Sequence, residues 1–384
     1  MPPGCDKLNK FIRVSKSSIS NAEKIAVRKV LDQGYLGMGD NVKIFERDLS
    51  IFFGRPATCV SSGTAAIQLS LQAIGIMPGD EILVPSLTYV ATFQAISATG
   101  AIPVACDVNL ENLMIDIDDA KKRLSKKTKA IIPVHYSGDV CNLNHIYSFA
   151  KINNLRVIED AAHAFGSTYK KKIVGSFGDI ACFSFDGIKN ITSGEGGCII
   201  TNDKNVNKKI KDARLLGVIG DSQKRFLGKR SWQFDVVSQG WRYHMSNIMA
   251  AIGSAQLDKF TTLSNKRKKI AIRYDENLNN ESMVELFRRN YEKIVPHIYV
   301  IKLDKSINRK KLMSLLYDRG IETGIHYVPN HTLTYYKKND ILPLNNTEKV
   351  SSQILSLPIH PGLSLSEVDY VCKILLELIS KKGL

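Results

Sequence analysis

The chain has 384 residues, of which 44% are hydrophobic and 23% are charged, and this composition allows one large and one smaller folded domain while excluding a disordered protein. No apolar run approaches the roughly 20 residues of a membrane span, and the N-terminus lacks the apolar core of a signal peptide, so we expect a cytoplasmic protein with no membrane partner. The net charge of +16 is carried by lysines mixed with acidic residues, and the densest basic stretches are 204–216 and 224–230. These stretches lack the series of interleaved aromatic residues on which nucleic-acid bases stack, which argues against a nucleic-acid partner.

The first predicted element is a helix near the N-terminus. Ser20 and Glu23 stand ahead of "KIAVRKVLDQG" with the spacing of a capping box, in which each side chain bonds to the backbone N–H of the other residue. Gly34 follows, and glycine is the residue at which helices most often end. We therefore expect one helix between these signals.

Seven short apolar runs come next, separated by helical stretches. They lie at 57–62, 80–85, 102–108, 129–138, 155–163, 179–185 and 196–203. Runs that are apolar on both faces and alternate with helices are typical of a largely parallel sheet covered by helices on both sides. The seven cysteines are single and mostly lie inside apolar runs, so we expect reduced, buried thiols.

The pattern changes after about residue 250. A long helix is predicted over 245–278, followed by a lysine-rich region with a few strands and helices. We therefore expect a large α/β domain over 1–250, whose mostly parallel central sheet is covered by helices, and a smaller α+β domain over 251–384.

Two of the predicted strands end in residues that suit a ligand. Ligands in such sheets gather where strands end and the next helix begins. In "SSGTAA", Gly63 and Thr64 offer backbone N–H groups and a hydroxyl to an anion such as a phosphate, although Ser-Gly-Thr is also a common helix cap. In "VIEDAAHAFG", Asp160 ends a strand and His163 follows it; a buried carboxylate there either faces a cation or is satisfied by backbone N–H groups.

A third predicted strand leads into Lys189, in the turn-rich segment "GIKNITSG". A single lysine is most often a surface charge. Together with the phosphate cradle and the carboxylate, however, Lys189 completes the parts that hold pyridoxal phosphate. The lysine forms a Schiff base, the carboxylate keeps the pyridine nitrogen protonated, and helix N–H groups hold the phosphate. The sequence therefore predicts a pyridoxal-phosphate enzyme.

Nine segments in the same order carry a resemblance to a known family. They are 34–46, 61–71, 78–92, 130–138, 157–167, 178–197, 243–257, 320–331 and 355–364, among them "VIEDAAHAFGS" and "GDIACFSFDGIKNITSGEGG". In these segments the chain resembles the sugar-nucleotide aminotransferases of the DegT family. The resemblance implies the aspartate-aminotransferase-like fold, which is fold type I of the pyridoxal-phosphate enzymes.

The resemblance also implies a role for each candidate residue. Lys189 would form the Schiff base and move the proton, Asp160 would pair with the pyridinium nitrogen, and His163 would lie against the ring or its phenolic oxygen. Further cofactor contacts are implied for the phosphate ligands Gly63, Thr64 and Ser184 and for Tyr89, which would stack over the ring. Tyr89 also suits a core aromatic position in "TYVATF".

The chain departs from the family pattern at three positions. Many members have asparagine and arginine where this chain has Arg242 and His244. The first of these reaches the cofactor phosphate from the neighbouring subunit, and we assign that role to Arg242, because arginine forms charge-assisted bonds to phosphate. His244 receives no role, and Asp186 stands where many members have histidine, close to the Schiff base. The shared sites imply a homodimer.

The remaining histidines do not indicate a metal site. His326 and His331 flank Pro329, so they cannot form the i, i+4 pair of a helical zinc site. We therefore predict no metal. His326 is near the active site in relatives, and the sequence assigns it no chemistry.

Three hypotheses for the function follow. The leading one is transfer of the amino group of glutamate to a keto sugar carried on a nucleoside diphosphate, most simply a 4-keto-6-deoxy sugar, for amino-sugar and surface-polysaccharide synthesis such as lipopolysaccharide O-antigen. The second keeps the fold and cofactor but changes the substrate to a 3-keto sugar or an aminocyclitol ketone, or changes the reaction to a dehydration. Lys189 argues against dehydration, since the dehydrating members of the family have histidine at that position. The third is a non-enzymatic basic binding or regulatory protein, which would show salt-sensitive DNA retention and no amine transfer.

Overall fold

The computed structural model describes residues 11–221, 224, 227, 233–337 and 342–380. Most of the basic segment 224–230 and the first cysteine, Cys5, lie outside these residues. The other six cysteines are buried and free, as predicted for them.

All seven predicted strands are present and form one sheet. In chain order the strands are β1 (Ala57–Val60), β2 (Glu81–Pro85), β3 (Ile102–Cys106), β4 (Thr128–Ile131), β5 (Arg156–Asp160), the short pair β6 (Thr168–Tyr169) and β7 (Lys172–Ile173), β8 (Ile180–Ser184) and β9 (Gly197–Thr201). The spatial order is β1-β9-β8-β5-β4-β2-β3, with β6 and β7 forming a separate hairpin. Only β9 runs against its two neighbours, so the sheet is mostly parallel, as predicted.

Helices connect the strands and cover the sheet. They are α1 (Asn21–Gln33), α2 (Asp40–Phe53), α3 (Gly63–Ala73), α4 (Val90–Ser97), α5 (Ile117–Lys122), α6 (Leu143–Ile152), α7 (Lys204–Ala213) and α8 (Asn247–Asp258). Helix α1 has the predicted capping box at Ser20 and Glu23, and it ends at Gly34 in the left-handed conformation, with φ of 69°. These local signals are therefore sufficient to predict the helix.

Successive residues of a strand pack on opposite faces of the sheet. In β8, Cys182 joins the core beneath α3, α4 and α7, whereas Phe183 packs with α2 on the other face. In the other half of the sheet, Val157 of β5 packs with α5 and α6. Burial on both faces explains why each strand reads as a continuous apolar run.

The C-terminal part has a second, smaller sheet. It contains β10 (Val284–Leu286), β11 (Tyr299–Leu303) and β12 (Ile354–Leu357), paired antiparallel in that order, and the helices α9 (Phe260–Leu278), α10 (Arg309–Asp318), α11 (Asn345–Gln353) and α12 (Leu365–Ile379). Helices α9, α10 and α12 share one apolar core with the sheet. Together with the large sheet, this is the α/β class with a smaller α+β part that the sequence predicted.

The long helix predicted over 245–278 is two helices. Helix α8 ends at Asp258 and α9 begins at Phe260, with Lys259 between them. Helix α8 packs on α1 and α2, whereas α9 packs on α12, so the chain turns to let each half reach its own core. The ammonium of Lys259 forms an ion pair with Glu23 of α1. The predicted domain boundary at 250/251 falls inside α8, and the division into two domains stays a prediction.

Within the described ranges, no helix combines the length and the apolar character that crossing a bilayer requires.

Candidate active site

A cavity of about 540 Å³ opens at the carboxyl ends of the parallel strands. The ends of β5 and β8 and the first turns of α3 and α4, which follow β1 and β2, form its floor. His297, His326 and Tyr327, from the C-terminal part, line the cavity from the other side. The cavity therefore lies where an open α/β sheet binds its ligands.

Seven of the eight predicted site residues line this one cavity. They are Gly63, Thr64, Tyr89, Asp160, His163, Ser184 and Lys189. Arg242 is not among the lining residues; it is exposed and pairs through its backbone with Leu215. Its role at the cofactor of a neighbouring subunit stays a prediction.

Lys189 follows β8 in a tight turn, in which its backbone N–H donates to the carbonyl of Asp186 over 3.1 Å. Its Nζ lies 3.4 Å from Nε2 of His297. Burial lowers the pKa of Lys189 from 10.5 to about 8, the charge of Arg267 adds to this effect, and Asp160 and Asp186 oppose it. An amine with a pKa of about 8 gives up its proton much more readily than an exposed lysine does, and a nucleophilic lysine has to lose that proton.

Asp160 ends β5 with its side chain in the cavity and is only 6% exposed. Its Oδ2 accepts a hydrogen bond of 2.8 Å from the hydroxyl of Thr92, and its Oδ1 accepts one of 3.2 Å from the backbone N–H of Ala162. The sequence left open whether this carboxylate faces a cation or backbone N–H groups. The structure shows a backbone bond together with an electrostatic interaction with Lys189.

The preceding residue, Glu159, takes no part in the cavity, because alternate strand residues face opposite sides of the sheet. Its two carboxylate oxygens lie 2.9 Å from Nε2 of His135 and 2.6 Å from the hydroxyl of Tyr147. The other ring nitrogen of His135 accepts from the backbone N–H of Cys141. His135 and Glu159 are therefore a satisfied structural pair.

His163 is held by hydrogen bonds at both ring nitrogens. Nδ1 accepts from the backbone N–H of Ser137 over 3.4 Å, and Nε2 lies 2.9 Å from the hydroxyl of Tyr327. Burial, with the charges of Lys189 and His326, lowers the pKa of His163 well below 6.5. The ring is therefore neutral, and because Nδ1 accepts, its proton is on Nε2.

The first turn of α3 forms an anion cradle. Ser62 caps the helix by accepting from the backbone N–H of Ala65, and the N-terminus of α3 borders the cavity. A Cβ at Gly63 would lie 2.8 Å from the Cβ of Ser184, closer than two carbon atoms can approach. The glycine therefore lets the strand end of β8 bring its hydroxyl beside the free N–H groups of the helix.

These residues fit pyridoxal phosphate. The close approach of Gly63 and Ser184 places N–H and hydroxyl donors around one anion position, and the same cavity holds a buried carboxylate and an amine with a lowered pKa. The cradle would hold the phosphate, Asp160 would hold the pyridinium nitrogen, and Lys189 would attach the cofactor covalently. These three groups lie in the cavity of one chain.

Sequence reasoning missed three residues that shape the cavity. Thr92 bonds to Asp160, Tyr327 to His163, and His297 lies beside Lys189. Thr92 and Tyr327 lie in segments that carry the family resemblance, whereas His297 lies outside them. Nothing in the sequence pairs Tyr327 or His297 with a residue more than 100 positions away.

The histidines considered for a metal site have other partners. His326 lines the cavity, and its Nδ1 lies 2.7 Å from the hydroxyl of Ser356. His331 lies outside the cavity lining and bonds to Ser86 and Glu348.

Residues 17–376 match the sequence model of the DegT/DnrJ/EryC1/StrS aminotransferase family. The chain is also similar to solved structures over nearly their whole length. The aminotransferase PseC of Helicobacter pylori, involved in the biosynthesis of pseudoaminic acid, is 28% identical, with 97% of this chain and 100% of PseC covered and a TM-score of 0.90. Spr1654 of Streptococcus pneumoniae in its PLP form is 30% identical, with 98% and 100% covered and a TM-score of 0.89. The aminotransferase TlmJ of Streptoalloteichus hindustanus is 30% identical, with 96% and 100% covered and a TM-score of 0.88.

Proposed function

The chain belongs to the DegT/DnrJ/EryC1/StrS aminotransferase family, and from this premise we propose that it transfers the amino group of glutamate to a keto sugar carried on a nucleoside diphosphate. It is a pyridoxal-phosphate-dependent aminotransferase with the type I fold of such enzymes. The acceptor we propose is a 4-keto-6-deoxy sugar, and the product would supply an amino sugar to surface-polysaccharide synthesis. The similarity to PseC supports a sugar acceptor.

One observation carries the chemistry: Lys189, Asp160 and the anion cradle of α3 line the same cavity. When bound, pyridoxal phosphate supplies the electron sink that makes the proton on the amino-bearing carbon acidic. The neutral amine of Lys189 takes that proton at Nζ from the donor and later returns one to the acceptor. Asp160, held in place by Thr92 and Ala162, would pair with the pyridinium nitrogen.

The cavity wall also suits a sugar. The carboxylates of Asp186 and Glu195 line the same cavity as Lys189. Carboxylates accept hydrogen bonds from hydroxyl groups, and a sugar presents several such donors. These two residues are therefore our candidates for contacts with the sugar ring, and Asp186 is one of the positions at which this chain departs from many relatives.

We infer a homodimer with shared active sites. Arg242 is exposed and does not line the cavity of its own chain, so a contact with a bound phosphate would have to be made in the neighbouring subunit. Exposed apolar side chains lie near it in the sequence at Phe234, Val236 and Val237. Apolar groups clustered on a surface mark protein interfaces.

The test is spectroscopic and uses the holoenzyme. Glutamate should bleach the yellow absorbance of the bound cofactor, and one nucleotide-linked keto sugar should restore it. The acceptor panel contains 4-keto and 3-keto sugars and an aminocyclitol ketone. Lys189→Ala should abolish amine transfer, and borohydride should fix the cofactor to Lys189 in the wild-type chain only. Bleaching by glutamate without recovery on any keto sugar would overturn the sugar assignment, and undiminished turnover by Lys189→Ala would overturn the role of the lysine.

A further inference from the structure

The buried side chain of His297 contacts Nζ of Lys189, the nitrogen that reacts in the proposed function. His297 is 3% exposed, precedes β11 and reaches the cavity from the side opposite the parallel strands. Its Nε2 lies 3.4 Å from Nζ of Lys189, and its ring centre lies 4.4 Å from that of His163. The imidazole of His297 is therefore a neighbour of both Lys189 and His163, the histidine expected to lie against the cofactor ring.

The hydrogen bonds of His297 differ from those of the structural histidines. In His135 and His331, both ring nitrogens have protein partners. In His297, Nδ1 is buried and has no hydrogen-bond partner in the part of the chain that the structure describes, so Lys189 is the only group bonded to the ring there. Buried polar groups are usually hydrogen-bonded, so a ring whose one bonded partner is Lys189 differs from the two structural histidines.

A buried arginine fixes the two residues relative to each other. Arg267 of α9 is 2% exposed, and its guanidinium donates to the carbonyls of Ile188, over 3.1 Å, and His297, over 3.0 Å. These carbonyls belong to the residue before Lys189 and to His297 itself. The arginine thus links the lysine turn to the segment that carries the imidazole.

The groups around His297 make the direction of the Lys189 contact clear. Burial lowers the pKa of His297 well below 6.5, and its cationic or titratable neighbours act in the same direction: Lys189, His163, Arg267 and His326. The ring is therefore neutral. A protonated Lys189 has three N–H donors and no acceptor. Nε2 of the neutral ring can therefore bond to it only as an acceptor.

We propose that His297 is a catalytic residue that holds the amine of Lys189. Its Nε2 accepts a hydrogen bond from one N–H group of the amine whenever the lysine is not covalently attached to the cofactor. The proposal rests on the function proposed above. When the neutral amine removes the proton from the amino-bearing carbon of the donor, the C–H electron pair stays with the carbon side, and the proton makes Nζ an ammonium. His297 then accepts a hydrogen bond from one N–H group of that ammonium. A second N–H group stays directed at the substrate and can return the proton.

The first measurement tests the contact without turnover. In the apoprotein, acylation of Lys189 by a lysine-directed reagent is followed by peptide mass spectrometry as a function of pH. The wild-type midpoint is expected near pH 8. His297→Asn, too short to place a polar atom at the ε position, should lower that midpoint, because the ammonium loses its acceptor. His297→Gln, which reaches that position, should retain it. Asp160, Asp186 and Arg267, the other charges that act on Lys189, are the same in every variant.

The second measurement uses the holoenzyme. Mixed with glutamate in a single turnover, His297→Asn should bleach about 100-fold more slowly than wild type, with unchanged cofactor content and a larger isotope effect for α-deuterated glutamate. His297→Gln should recover much of the rate. His331→Asn, a substitution at another buried histidine, outside the cavity, should change neither the midpoint nor the isotope effect. His297→Phe repeats the test if the asparagine variant does not accumulate.

An unchanged midpoint together with an unchanged bleaching rate in a fully loaded His297→Asn protein would overturn the proposal. Equal losses of bleaching rate in the asparagine and glutamine variants would overturn it as well. A wild-type protein that glutamate does not bleach would overturn the proposed function instead. The labelling midpoint would then still decide whether His297 contacts Lys189.

Discussion

Burial lowers the pKa values of the basic side chains in the active site. Lys189 is an amine with a pKa of about 8, and the neighbouring imidazoles of His163 and His297 are neutral because burial disfavours their charged forms. A lowered lysine pKa has an energetic consequence for folding, since the unfolded chain binds the proton more tightly than the folded chain does.

Removing the amine should therefore stabilise the apoprotein. Below pH 8, Lys189 is charged in both states and the cost of burying the charge is fully present; between pH 8 and 10.5 the folded state has lost the proton, and the cost declines. Lys189→Met should raise the free energy of unfolding at pH 7 by about 2 kcal/mol, with the gain shrinking as the pH rises through that window. Denaturant titrations at several pH values measure it. A loss of stability at pH 7, or a gain that grows with pH, would contradict the lowered pKa.

Thr92 should act on the cofactor through Asp160. Thr92→Val keeps the shape of the side chain but removes the hydroxyl that donates to Oδ2 of Asp160. Loss of one hydrogen bond to a charged group costs about 1.5–3 kcal/mol, so the affinity for pyridoxal phosphate should fall by roughly 10-fold to 100-fold. Equilibrium titration of the apoprotein measures the affinity. Thr99→Val, which removes a hydroxyl bonded to the carbonyl of Ile96, is the control and should bind as wild type does.

The candidate residues that the sequence could supply are those next to strand ends. Asp160 ends one strand and Lys189 follows soon after another, and the rule that ligands gather at strand ends is enough to predict that they share one site. Tyr327 and His297 reach the same cavity from the C-terminal part. Their approach depends on how the smaller sheet packs against the larger one, which no local pattern specifies.

At the scale of elements, the predictable parts are those with strong local patterns. Strands buried on both faces give continuous apolar runs, and the capping box of Ser20 and Glu23 marks the start of α1. The break at Lys259 was missed because the apolar periodicity continues through it. That break is caused by α8 and α9 packing on different partners, and Lys259 itself is neither glycine nor proline.

The junction between α3 and β8 gives a prediction at this scale. Gly63→Ala would place a Cβ 2.8 Å from that of Ser184, so one of the two walls of the anion cradle must move. The affinity for pyridoxal phosphate should fall by about 100-fold or more while the chain still folds, because the strain is confined to a cavity wall. Gly37→Ala is the control, since a Cβ there meets nothing within 4 Å and its φ is not positive. Wild-type cofactor affinity in Gly63→Ala would show that the cradle is placed elsewhere.

At the scale of the whole molecule, one chain presents seven of the eight predicted site residues in its own cavity and exposes the eighth, Arg242, on its surface. The homodimer proposed above would account for these positions, because a two-fold axis would bring the arginine of each subunit to the cavity of the other. The site would then be complete only in the dimer. The sequence of one chain does not specify how a second copy is oriented against it.

Mixing two variants that are each impaired tests this arrangement. Lys189→Ala destroys the cavity of its own chain, and Arg242→Ala should weaken the phosphate contact in the neighbouring chain. In a mixed dimer, one cavity combines an intact Lys189 with an intact Arg242 from the other subunit, while the second cavity lacks both. Random assembly of equal amounts should therefore recover roughly a quarter of the wild-type activity, since half of the dimers are mixed and each has one working site. If Arg242 instead served its own chain, mixed dimers would contain no complete site, and activity would not exceed the average of the two separate variants.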